Sequence, residues 1–135
     1  MFASTPSPLA ATDSALASAV RALDRTIDVP PDQGPALDRW RRLAQAHLAD
    51  LRAALTAEAD RADDGWLAAR SGGLLRERDA LLARSAGLVG AVLGAPDVDR
   101  LRAELRRYLV DVGHHLQRRH DLAYDAVELE LGGSE

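Results

Sequence analysis

The stretch "LRAELRRYLVDVGHHLQRRHDLAYDAV", residues 101–127, carries Leu101, Leu105, Leu109, Val112 and Leu116 at steps of three and four. Leu122, Ala123, Ala126 and Val127 continue the pattern. Apolar residues at that period lie along one side of an α-helix, and period-two alternation, the mark of a half-buried strand, is absent. The rest of the chain reads the same way. Leu16, Ala19, Val20, Leu23 and Ile27 form one stripe, and Leu37, Trp40, Ala44, Leu48, Leu51 and Leu55 a second. Leu74, Leu75, Leu81, Leu82, Leu88, Val89 and Val92 form a third.

Punctuation between the stripes sets the boundaries. Ser7-Pro8 offers an N-cap and a first helical position, and Pro35 opens the next helix. "VPPDQGP" at 29–35, "ADDGW" at 62–66 and "GAPD" at 94–97 are turns. "SGG" at 71–73 is a place where the third helix either begins or kinks, and Gly132-Gly133 reads as a C-cap. The expected helices are 8–28, 35–61, 66–93 and 96–131, within one domain over 8–133. Residues 1–7 form a loose N-terminus and 134–135 a tail. Short connections between long helices favour antiparallel neighbours. The fold class is therefore all-α, an antiparallel up-down-up-down four-helix bundle.

Composition narrows the function classes. A chain of 135 residues suffices for one core, and 47% hydrophobic residues with only 4% aromatics is a helix-forming mixture of Ala, Leu and Val. All 17 basic residues are arginine. The net charge is −4 with the signs interspersed, so no nucleic-acid partner is expected. The absence of cysteine removes disulfide, thiolate and zinc–thiolate chemistry. The N-terminus has no basic–apolar leader pattern and no apolar run is long enough to span a bilayer. A cytoplasmic location without a membrane partner is the expectation. No nucleophile elbow and no glycine-rich phosphate loop occurs, so a non-enzymatic role is favoured.

Three of the four histidines fall at 114, 115 and 120. Stepping each helix at about 100° per residue separates them. His115 and Arg119 fall beside Val112 and Leu116, provided the helix stays regular through Gly113. His114, Arg118 and Asp121 point elsewhere. His47 and Glu58 lie toward the Leu51/Leu55 side of helix 2, and Arg78 and Ser85 on the leucine stripe of helix 3. Antiparallel folding brings Glu58, Arg78, His115 and Arg119 toward one layer, with His47 about three turns away. That layer is either a buried ion cluster, in which each charge needs a partner, or a ligand site in the bundle core.

The stretch "HLQRRHDLAYDAVELELGG" at 115–133 resembles the last helix of a group of actinobacterial hemerythrin-like proteins. The matching positions are His115, Gln117, Arg118, Asp121, Leu122, Tyr124, Asp125 and Gly132-Gly133. "WRRLAQAHLADLRAAL" at 40–55 and "LLRERDALLARSAGLV" at 74–89 are similar to the group's middle helices. The resemblance covers about residues 40–135 and implies a bundle related to oxygen- or iron-binding hemerythrins. The ligand set departs from that pattern. Helices 1 and 3 carry no histidine, Asp79 and Glu58 stand where histidines are expected, and His115 is followed by His120, not by an aspartate. An intact di-iron site is therefore not expected. A reduced site would draw on His47, Glu58, Asp79 and His115, with Glu77 a further donor, and would take iron or another transition metal. Two arginines in the layer would repel such a cation.

Two function classes follow. The first is a small non-enzymatic bundle acting as a binding or interaction module, with no cofactor. The second is a metalloprotein with a reduced His/carboxylate site for sensing, storage or oxygen chemistry. Helix 4 carries a wider apolar stripe than one core face needs. A homodimer through helix 4, or another protein, is the expected partner, with Trp40, Trp66, Tyr124, Leu129 and Leu131 as surface candidates.

Overall fold

A computed structural model of the chain describes residues 8–57 and 65–132, and the side chains of 14–57 and 72–124. The expected N-terminal segment 1–7 and tail 134–135 lie outside the described residues, as do the end of helix 2 at 58–61 and Gly133. Four helices account for the described chain: α1 (Pro8–Asp28), α2 (Pro35–Ala57), α3 (Gly65–Gly94) and α4 (Val98–Gly132). The molecule is all-α, and no strand occurs among the described residues. Each helix packs on its neighbours in sequence, and α4 also packs on α1, so the four close a ring around the core.

Local chemistry explains the boundaries. Gly34 has φ 79°, a left-handed conformation that glycine adopts without a Cβ penalty. Its carbonyl accepts the amides of Leu37 (3.0 Å) and Asp38 (3.3 Å), so Gly34 caps α2 and Pro35 takes the first helical position. Asp97 caps α4: its Oδ1 accepts the Arg100 amide at 3.0 Å and its carbonyl the Leu101 amide at 3.1 Å. That cap sets the start of α4 at Val98, two residues later than the sequence expectation. Helix α3 starts at Gly65 and runs through Gly72 and Gly73, so "SGG" is not its beginning.

The core is aliphatic. Leu16, Leu23, Ile27, Leu48, Leu51, Leu55, Leu105 and Val112 are fully buried. Side chains tie this core to the helix ends. The last carbonyls of any helix lack intrahelical partners, and a cation there also meets the negative end of the macrodipole. Arg41 of α2 donates to the carbonyls of Val92 (3.0 Å) and Ala95 (2.6 Å). Arg102 of α4 donates to the carbonyls of Ile27 (2.7 Å) and Asp28 (3.2 Å). Trp40 is 8% exposed, and its indole N–H donates to Thr26 O at 2.8 Å. Four neighbouring helix ends, the closing turns of α1 and α3 and the opening turns of α2 and α4, are thereby fastened together. Among the described residues, no helix is long and apolar enough to cross a membrane.

Candidate functional site

The polar side chains of the interior form two layers. In the first, α2, α3 and α4 meet around Ser85. Arg52 Nε donates to Ser85 Oγ at 2.8 Å, and Ser85 Oγ donates to Leu82 O at 2.6 Å. Tyr108, fully buried, donates its hydroxyl to Leu81 O at 2.9 Å. The Arg84 guanidinium sits 5.3 Å from the Tyr108 ring centroid and pairs with Asp111 at 2.6 Å. Burial pushes the Tyr108 phenol up to about 12, against a hydrogen bond with Ser85 and the charges of Arg84 and Arg52. The phenol is therefore neutral at ordinary pH and acts as a fixed donor between helices.

The second layer is the stronger candidate. His115 is fully buried, and its Nδ1 lies 2.6 Å from Glu77 Oε1. Arg118 grips the same carboxylate with a two-pronged fork, Nε to Oε1 at 3.1 Å and Nη2 to Oε2 at 2.6 Å. Bidentate guanidinium–carboxylate pairs of this kind are short and directional. Burial alone would raise the Glu77 carboxyl. The hydrogen bonds and charges of Arg118 and His115 outweigh it, so the group is held below its ordinary value. An ionised Glu77 only accepts, so His115 Nδ1 carries the proton in their bond. The arrangement fastens α3 to α4 through one carboxylate and two donors.

Not every residue singled out from sequence lies here. Arg78 pairs with its neighbour Asp79 at 2.6 Å, and Asp79 is 64% exposed. Glu77, one position earlier, supplies the carboxylate that meets His115. Arg118, which the helical stepping turned away, is the arginine that grips it, while Arg119 is half-buried. The reason is reach. Long side chains at the edge of a stripe bend into a helix seam, whatever the direction of their Cβ atoms. Glu58 lies outside the described residues. His47 is half-buried and faces the seam of α1 and α2. It stands between Arg41, bonded at Val92, and Arg52, bonded at Ser85, whereas His115 is bonded at Glu77. At 1.5 Å per residue these levels on α3 are separated by roughly 16 Å, so His47 and His115 do not share one ion. Among the described residues, no group of three or more His, Cys, Asp and Glu is placed to hold a metal.

Of the surface candidates, Trp40 is buried and Tyr124 is 64% exposed. The side chains of Trp66, Leu129 and Leu131 lie outside the described residues. Sequence reasoning passed over Tyr108 as a core group and Arg41 and Arg102 as helix-end donors. For the arginines the signal was present, since each stands within the first two turns of its helix and faces a neighbour's closing turn. No protein-family model, no curated protein and no solved structure matches the chain.

Proposed function

We propose that this chain is a non-enzymatic, up-down-up-down antiparallel four-helix bundle of hemerythrin-like ancestry that acts as a binding module, without an intact di-iron site. The topology is supported by the cross-helix bonds. On α2 and α3, Arg41 meets Val92 and Arg52 meets Ser85; on α3 and α4, Glu77 meets His115 and Arg84 meets Asp111. Partner numbers fall on one helix as they rise on the other. The observation that carries the functional reading is the engagement of His115. Its Nδ1 is committed to Glu77, and a guanidinium closes both oxygens of that carboxylate. A cation placed beside this carboxylate would face Arg118 at close range, where like charges repel.

A reduced metal site is the second reading. It is favoured by the Glu77–His115 pair, because a carboxylate on Nδ1 is the usual support behind an imidazole that binds metal through Nε2. Elemental analysis after iron or zinc loading separates the two readings. The binding module retains no stoichiometric metal, and His115→Ala alters stability alone. Stoichiometric metal that disappears in His115→Ala contradicts it.

A further inference from the structure

The seam of α1 and α2 forms an outward groove. Ala22, Trp40 and Leu43 line it toward one end and Ala15, Asp50 and Ala53 toward the other, with His47 between them. Trp40 fastens the first end to α1 at Thr26. Toward Ala15 the lining is mostly alanine. Small side chains leave a trough between two helix backbones, into which a larger side chain of a neighbour can pack. Leu43 stands beside that trough and is 49% exposed, so apolar surface remains uncovered here.

The charged side chains on the groove are Arg25, Arg39 and Asp50. All three are exposed, and among the described residues none of them is in an ion pair. Arg39 and Asp50 are 11 residues apart on α2 (50 − 39), about three turns and about 16 Å along one side of the helix. Leu43 and His47 fall on either side of their midpoint. Arg25 lies at the Arg39 end, one residue before the Thr26 carbonyl that Trp40 meets. The groove is thus positive at one end, negative at the other and apolar in the middle. A surface with that order is complementary to itself when turned end over end. A second copy laid on it in the reversed direction sets Arg39 against Asp50 twice, and each Leu43 meets the other's trough beside Ala19, Ala22 and His47. A second copy laid on in the same direction sets arginine against arginine, which like charges disfavour.

We infer that the α1–α2 groove is the face through which two copies of this chain pair, end over end, about a two-fold axis that passes between Leu43 and His47. The inference rests on the binding-module reading and names its partner. The same patch is used on both copies, so association closes at two.

The test is sedimentation velocity on the full chain over a concentration series, with a thermal melt to establish that each variant is folded. The wild type passes from monomer to dimer and no further. Arg39→Glu and Asp50→Arg each weaken association by at least about tenfold, because the two-fold axis makes like charges face each other at both contacts. Mixing these two variants restores a dimer, since both contacts again join opposite charges. The double variant Arg39→Glu/Asp50→Arg recovers pairing with itself for the same reason. Leu43→Glu, at the middle of the groove, weakens association whatever the charges at its ends. A wild type that stays monomeric at every concentration overturns the inference, as does growth beyond a dimer. So does association that neither the charge reversals nor Leu43→Glu changes, or a double variant that pairs no better than the singles. All of these results leave the binding-module reading standing, because that reading fails on metal content and not on self-association.

Discussion

The molecule is fastened at two levels by two kinds of polar contact. At one end, Arg41 and Arg102 grip the closing carbonyls of α3 and α1. Farther along α3 and α4, Glu77, His115 and Arg118 grip one another. The first kind meets a need that every helix has, since the last carbonyls are unpaired whatever the sequence. Water can replace an arginine there. The second kind meets a need created by one residue. A fully buried imidazole requires a partner for its proton, and water does not reach it easily. Loss of the buried imidazole or of its acceptor should therefore cost more than loss at the first level.

That ranking can be broken by mutation. His115→Ala removes a fully buried side chain and leaves a cavity, and should destabilise by about 3 kcal/mol in chemical denaturation. Glu77→Ala leaves the imidazole donor without its acceptor, at about 1–3 kcal/mol. Glu77→Gln, which keeps an acceptor oxygen, should lose less. Arg41→Ala and Arg102→Ala should each cost about 1 kcal/mol, the usual net value of a replaced hydrogen bond. Arg118→Ala should come last, at about 0.5 kcal/mol, because half of that side chain is already in water. Arg102→Ala costing more than Glu77→Ala would invert the comparison.

The pH dependence sharpens the same contrast. The Glu77 carboxyl is lowered in the folded protein from an ordinary value of 4.5. A lowered carboxyl stabilises the fold fully above the unfolded-state value, and the contribution is lost as pH falls through the folded-state value. Stability measured from pH 7 downward should therefore decline more steeply below about 4.5 in the wild type than in Glu77→Gln. Equal slopes would show that the carboxylate is not held by its partners. Arg41→Ala should leave the slope unchanged, because the acceptors of Arg41 are carbonyls that do not titrate.

The same difference explains what the sequence disclosed. Helix number, order and most boundaries followed from apolar spacing and from Pro and Gly positions, because those signals are local. The inward position of His115 was legible from its three-residue step after Val112. Its partner Glu77 was legible only as a further metal donor and not as the acceptor of its ring proton. Helical stepping selected Arg78, whose side chain is 13% exposed, and Arg119, which is half-buried, but it did not select Glu77 and Arg118, whose long side chains reach in from beside the stripe. A rule that assigns each residue a direction from its backbone position cannot choose between neighbours with flexible stems. Tyr108 was equally hidden. Its ring occupies the core while its hydroxyl finds a backbone carbonyl, a pairing set by packing between helices and not by either helix alone.

The central claim is that Glu77 and His115 form an interhelical lock, and a double-mutant cycle tests it most directly. Glu77→Ala, His115→Leu and the double variant would be compared with the wild type by urea denaturation at pH 7. The lock predicts that the double variant is less destabilised than the sum of the singles, with a coupling of about 1–2 kcal/mol, as for residues in one hydrogen-bonded network. Additivity to within about 0.3 kcal/mol, the behaviour of independent sites, would contradict it.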